Sequence, residues 1–387
     1  MKQEQRTVEY TLVASEFNWE TKAGKTIRAW GFNQQVPGPL LKAGQGDTLV
    51  VKVINNLPEP TLVHWHGIRL PASMDGTGEV QKPIAPGETF EYRFEVPDAG
   101  TFWYHSHQNE TVQMERGMYG GIVVESAGDP VVDNERVLLI DDMKLDKHNE
   151  FKKHGAIGRW MERHDGREGD TLLINGKEAM TLHMHAGQVE RWRIINAASA
   201  RYFKLSLQGR PFQVIGTDGG LLEEPRTEKE LLITPGERFD ILVGPFNEWE
   251  VFQIETLPYN RITFARPQKR NYAAVHVMEK KNSVANIPAT FNRIPSLAPQ
   301  DAVPNRLVKL SVIPSLKRGI DFVVNKEMHH TDAPVTVGEL QVWDVVNTSL
   351  MERMCCACGN AATAFLCRSA TPTASAAIHS NRSSGYA

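Results

Sequence analysis

Cysteine is absent from the first 354 residues of this 387-residue chain, and all four, Cys355, Cys356, Cys358 and Cys367, fall in the last 33. A disulfide framework is therefore excluded for the body of the protein. A surplus of one charge is also lacking: 43 Lys and Arg stand against 46 Asp and Glu, a net charge of −3. No basic excess points to nucleic acid. Apolar runs are strand-sized, which argues against a membrane-spanning helix. The first six residues hold no apolar leader, so the sequence reads either as a cytoplasmic form or as one whose leader is already removed. What is present is ample core material, with 41 % hydrophobic and 23 % charged residues. The length fits two or three domains of roughly 150 residues.

Helical periodicity is scarce, and only a short connector is expected near 110–119. Alternation recurs instead, over 48–54, 90–94 and 239–243, punctuated by Pro86-Gly87, Asp218-Gly219 and Pro235-Gly236. Short alternating strands broken by such turns read as an antiparallel sandwich or barrel. One pattern repeats three times. Gly46, Gly187 and Gly338 each lead through strand-like residues to Asn55, Asn196 and Asn347, nine positions on. Two copies continue into a Pro-Gly-Glu turn, Pro86-Gly87-Glu88 and Pro235-Gly236-Glu237. Equal spacing with a shared turn implies tandem sandwich domains. They are placed at 1–130 and 131–290, followed by the start of a third at 305–350 and an anomalous, disordered tail at 351–387.

His64-Trp65-His66-Gly67 closes the first copy's strand, and Tyr104-His105-Ser106-His107 closes a later strand of the same domain. Residues i and i+2 of a strand share a face, so each pair presents two imidazoles side by side. Two such pairs in one sandwich can bring four uncharged nitrogens together. Such a set without a carboxylate suits copper, with zinc next, whereas a hard ion would want oxygen. His183-Met184-His185 has the same spacing but no second pair in its domain, and it reads as strand surface. His329 and His330 are adjacent and face opposite sides. His148, His154 and His164 lie in a polar insertion, 144–169, that reads as a mobile loop or lid. His276 reads as structural, and His379 falls in the tail.

The chain resembles the multicopper oxidases, the laccase-like and cuprous-oxidase group with three cupredoxin domains. The matching pieces are Pro37-Gly38-Pro39, His64-Trp65-His66-Gly67, Met74-Asp75-Gly76, Trp103-Tyr104-His105-Ser106-His107, Ile215-Gly216-Thr217 before Asp218-Gly219-Gly220, and Asn325-Lys326. The resemblance implies an all-β fold of tandem cupredoxin-like Greek-key β-sandwiches, two complete and a third incomplete. It also implies that His64 is a type 2 copper ligand, that His66, His105 and His107 are type 3 ligands, and that Asp75 assists proton delivery. Family activity would be oxidation of phenolic or aromatic reductants, or of cuprous ion, with dioxygen reduced to water. The family also implies a periplasmic or secreted location.

The third copy departs from that pattern. Asn347 to Gly359 spans twelve positions, as Asn55 to Gly67 does, so Cys356 and Cys358 stand where His64 and His66 stand. The family's histidine set is missing there, and Cys367 has no histidine within ten residues to complete a type 1 site. Residues 351–387 hold nine alanines, one acidic residue and no lysine. A reading-frame change or truncation near Leu350 is the expectation. The four thiols could share a soft ion, but their spacing is not a pair of Cys-X-X-Cys knuckles, and they read as incidental. The sequence thus implies a partial type 2/type 3 copper site without type 1 copper. Two functional expectations follow: the family oxidase, with dioxygen and a small reductant as partners, or a copper-binding, catalytically inactive oxidase-like protein.

Overall fold

Alternating burial writes the fold strand by strand. In Thr48–Asn55, Leu49, Val51 and Val53 are fully buried while Lys52 is exposed, as a half-covered sheet requires. The computed structural model describes residues 6–152, 166–259, 268–294, 303–315, 319–328, 330, 341–348 and 363–369. These fall into two units, one reaching to Asn292 and one drawn mainly from the residues after it.

The first unit holds two sandwiches. One pairs the sheet Lys25–Phe32, Thr7–Lys22, Thr48–Asn55, Thr89–Glu95 with the sheet Gly38–Gly44, Tyr119–Glu125, Gly100–Ser106, Val63–His66. Leu12, Val51, Trp65, Tyr92, Phe102 and Tyr104 fill the space between them. The other packs a six-stranded sheet containing Asn134–Met143, Glu190–Asn196 and Arg238–Val243 on a five-stranded sheet containing Met180–Ala186, Arg270–Lys280 and Val251–Leu257. The sheets are mixed rather than purely antiparallel. Thr7–Lys22 runs parallel to Thr48–Asn55, and Asn134–Met143 runs parallel to Glu190–Asn196. Gly38–Gly44 lies between the first two in sequence but belongs to the opposite sheet, so the chain crosses over and returns in the same direction. The architecture is that of tandem cupredoxin-like Greek-key sandwiches, and the only helix longer than a single 3-10 turn among the described residues is Glu110–Gln113. No helix among them is long and apolar enough to cross a membrane.

The repeated asparagine and Pro-Gly-Glu turn have one job in both copies. The Asn55 side chain donates to Glu59 O at 3.0 Å and Ile84 O at 2.8 Å and accepts from Leu57 N at 2.9 Å. Asn196 bonds Arg201 O at 2.9 Å, Ile233 O at 3.1 Å and Ala198 N at 3.0 Å. Their backbone N–H groups donate to Glu88 O and Glu237 O, each at 3.0 Å, and their carbonyls accept from Gly87 and Gly236. A buried amide with every polar atom engaged ties the strand end to the turn.

A threefold device that sequence spacing did not reveal lies at Asn33, Asn175 and Asn325. Each adopts a left-handed φ, of 55°, 48° and 50°, which asparagine tolerates better than most residues. Their side chains accept from the N–H of Val13, Leu139 and Lys309.

In the second unit, Gly319–Val324, Arg306–Ser315, Gln341–Asn347 and Thr363–Ser369 form one four-stranded sheet. Val308, Leu310 and Val345 make its small buried cluster. Thr348 N donates to Leu310 O at 2.8 Å, just as Asn56 N donates to Ala14 O and Ala197 N to Ile140 O. The third copy therefore keeps the repeat's backbone pairing up to residue 348. Thr363–Ser369 differs from the expectation of a disordered tail, since its backbone pairs parallel with Gln341–Asn347. Residues 351–362 and 370–387 lie outside the described residues, and Cys355, Cys356 and Cys358 with them. So do 153–165 of the polar insertion, with His154 and His164, and so does His329.

Candidate metal centre

The strand Val63–His66 turns Val63 and Trp65 into the first sandwich's core and leaves His64 and His66 on the other face. Its antiparallel neighbour Gly100–Ser106 is buried on both faces. Phe102 and Tyr104 join the first core, and Trp103 joins an apolar cluster shared with Leu139, Ile195 and Ala197 of the second sandwich. Register sets His64 directly opposite His105. Pairing of those two positions carries the imidazoles of both motifs to one face.

Ring centroids lie 5.4 Å apart for His64 and His105, 5.6 Å for His66 and His105, and 5.7 Å for His64 and His66. His107 stands 5.6 Å from His64 and 6.1 Å from His105. One ring nitrogen from each of His64, His66 and His105 falls within 4.8 Å of the others.

Local structure holds each ring. His64 Nδ1 meets the Asp75 carbonyl at 2.8 Å and the Asp75 carboxylate at 3.6 Å. Asp75 ends the 3-10 turn Ala72–Met74. The next residue, Gly76 at φ +76°, lies so close to the Val63 carbonyl that a Cβ would collide with it. That explains glycine after the aspartate. His105 Nδ1 meets its neighbour's carbonyl, Ser106 O, at 3.0 Å. These contacts occupy Nδ1 of both rings, the arrangement that orients a ligating imidazole.

The second sandwich closes the site. Its Pro-Gly-Glu turn passes over His66, where a Cβ on Gly236 would stand 3.1 Å from the ring. Arg238 comes against Gly67 and donates to Thr101 O at 3.0 Å and Asp218 O at 3.0 Å. Gly220 of the Asp218-Gly219-Gly220 turn abuts the Ala99 carbonyl, so that motif docks the two sandwiches together. Sequence reasoning missed this cover, although the repeated Pro-Gly-Glu was the available signal.

Electrostatics favour bare nitrogens. Burial, then the Arg238 guanidinium, holds His66 well below the usual histidine range. Burial, then His64, pushes His105 down to about 3. Burial also works against a charged His64, but its bonds to Asp75 outweigh this and raise it. The hydrogen bond to His64 in turn holds the Asp75 carboxyl low. His66 and His105 are thus neutral at pH 7 and need lose no proton to bind a metal.

Copper fits this donor set. His66 Nδ1 and His105 Nε2 face each other at 3.4 Å. Metal–nitrogen bonds of about 2.0–2.1 Å at a tetrahedral angle put two nitrogens about 3.3 Å apart. Neutral imidazoles suit copper among the borderline ions.

Comparison with known proteins agrees. Family models described as multicopper oxidase match residues 14–129 and 134–283. The chain belongs to the multicopper oxidase family. Among curated members it is 34 % identical over 267 residues to multicopper oxidase MmcO of Mycobacterium tuberculosis, a match covering 62 % of this chain and 52 % of that protein. It is 31 % identical over 289 residues to copper resistance protein A of Escherichia coli, covering 63 % and 47 %. The chain thus spans about half the length of such relatives. Among solved structures, the multicopper oxidase from Campylobacter jejuni, described as a metallo-oxidase, superposes with a TM-score of 0.75 at 28 % identity, covering 90 % of this chain and 77 % of that one. The enzyme from Pseudomonas thermotolerans gives 0.73 at 27 %, covering 89 % and 82 %.

Within this family member the cluster is a partial, histidine-only site of the type 2/type 3 kind. No cysteine and methionine arrangement of the type 1 kind occurs among the described residues. His183, His185 and His276 sit on the five-stranded sheet of the second sandwich, and His148 is exposed beside the turn bridged by Leu145 and Phe151.

Proposed function

We propose that this chain is a copper-binding, oxidase-like protein whose first sandwich holds copper through His64, His66, His105 and His107, and that these residues do not complete oxidase turnover. The observation that carries this reading is the convergence of three ring nitrogens within 4.8 Å, with the His107 ring beside them. Copper bound there supplies one-electron exchange and a seat for dioxygen. The chain's own residues supply the surroundings. Asp75 orients His64 through its carbonyl and keeps an ionised carboxylate 3.6 Å from Nδ1. Trp103, 5.0 Å from the His66 ring, and Gly236 pack against that ring.

The family reaction, taking single electrons from phenolic or aromatic reductants or cuprous ion to reduce dioxygen, needs a second histidine set and an electron-accepting site. In this sequence Cys356 and Cys358 stand at the positions that a second His-X-His would occupy. A periplasmic or secreted location is proposed from the relatives named for copper resistance.

Metal analysis and visible absorption of the purified chain test the reading. Copper should bind, and its content should fall in a His64→Ala/His105→Ala variant, with no intense thiolate-to-copper band and negligible oxygen uptake in the parent. A full copper complement with that band and rapid oxygen consumption refutes inactivity, and unchanged copper content in the variant refutes the site.

A further inference from the structure

We infer that Gln113 is a positioning residue for the histidine centre, clamping the two histidine-bearing segments together and setting His105 and His107 against His64. The inference rests on the reading of those rings as copper ligands. Gln113 ends the short helix Glu110–Gln113 that follows the second histidine pair, and it is fully buried. Thr61, two residues before the strand Val63–His66, donates its hydroxyl to Gln113 Oε1 at 2.8 Å. Ser106, between His105 and His107, donates to the same oxygen at 2.5 Å. Gln113 Nε2 donates to Pro60 O at 2.9 Å and to the Glu59 carboxylate at 2.8 Å. A carbonyl and a carboxylate accept, so the amide has one orientation, and in it both polar atoms are engaged.

The clamp sits where strand pairing gives out. The register ends with Val63 opposite Ser106, and His107 lies one residue past its strand, held by a bond from its N–H to Leu62 O at 3.1 Å. Ser106 touches both neighbouring ligands: its carbonyl meets His105 Nδ1 at 3.0 Å, and His107 follows it directly in the chain. The main chain of Gln113 converges on the same residue. Its carbonyl accepts from Met118 N at 3.1 Å, and the Met118 carbonyl accepts from Ser106 N at 3.0 Å. A sandwich of this kind does not need the clamp to form. The second one repeats the asparagine tie through Asn196 and has no helix among its described residues. The clamp thus belongs to the sandwich that carries the histidine pairs, as a supporting contact of a ligand set does.

The test uses the full chain in two forms. One is titrated with cupric ion against a competing chelator and read by electron paramagnetic resonance. The other is metal-free, read by the nitrogen resonances of the histidine rings. Gln113→Met should weaken copper binding by about tenfold or more and alter the hyperfine splitting. Thr61→Val deletes one hydroxyl at nearly constant volume and should act in the same direction, more weakly. Both changes act through one contact, so the double variant should bind no more weakly than Gln113→Met. In the metal-free chain the His105 and His107 ring signals should move in both single variants. Circular dichroism checks folding, and Thr61→Val carries the test if Gln113→Met does not fold. If copper uptake is absent, or equals that of His64→Ala/His105→Ala, the copper reading fails and the ring signals alone decide the clamp. Where copper does bind at the histidines, unchanged affinity and spectrum in the folded variants overturn the inference. Unmoved ring signals overturn it in either case, even if the melting midpoint falls.

Discussion

Replacing Asp240 with Asn tests what locks the two sandwiches together. Asp240 Oδ2 accepts from Arg191 at 2.6 Å and from Arg193 at 3.1 Å, and Oδ1 accepts from Thr101 of the first sandwich at 2.5 Å. Side-chain exposure is 3 % for Asp240, 2 % for Arg191 and 1 % for Arg193. Opposite unit charges about 4 Å apart attract by about 4 kcal/mol at an effective dielectric of about 20. Desolvation offsets much of that in the parent. The amide removes the attraction and leaves both guanidinium groups buried, a loss of about 3–5 kcal/mol when one partner of a buried pair goes. Asp129, 3.1 Å from Arg191, and Glu135, 2.9 Å from Arg193, remain as partners. The expected cost is therefore at the low end, about 3 kcal/mol, or roughly 6–12 °C in midpoint.

The pH dependence has a definite sign. Burial alone would raise the Asp240 carboxyl, but Arg191 and then Arg193 reverse this and hold it below the ordinary range. Its stabilisation is present above the unfolded-state value of about 3.9 and is lost as pH falls through the lower folded value. Thermal melts of parent and Asp240→Asn followed by circular dichroism should show the full gap at pH 7 and a closing gap in acid. A midpoint shift under about 2 °C at pH 7 is too small for the loss of a buried ion-pair partner and refutes the reasoning.

Two further outcomes are expected. Asn55→Ala and Asn196→Ala each strip three hydrogen bonds from equivalent strand ends, so each should cost about 1–3 kcal/mol in denaturant unfolding. Costs differing by more than about 2 kcal/mol would contradict equivalence of the copies. Asp141, raised to about 7 by burial and then by Asp142, binds its proton more tightly when folded. Stability should therefore fall as pH rises from the unfolded value of about 3.9 and level off above about 7. Asp141→Asn, which keeps an acceptor for the Tyr119 hydroxyl now at 2.6 Å, should flatten that slope; an unaltered slope rejects the assignment.

Strands, turns and the two histidine pairs were legible because alternation and i, i+2 spacing are local properties of a chain. The helical connector was overread, since only Glu110–Gln113 is helical. The parallel pairings were not foreseen, because strand direction follows from which sheet the intervening chain crosses into. Gly236 over His66 was not visible either, because the two residues lie in different sandwiches and no spacing rule connects them. His276 read as structural and His183 as strand surface, and only sheet register sets them side by side.

By itself, then, the amino-acid order determined which segments are strands, where the repeats fall, and that each His-X-His pair presents two rings on one face. Tertiary structure alone decided which pairs meet: His64 lies across from His105, and the second sandwich covers them. Periodicity acts between near neighbours along the chain, whereas register and domain docking are set by burial of whole faces, which no short stretch of residues contains.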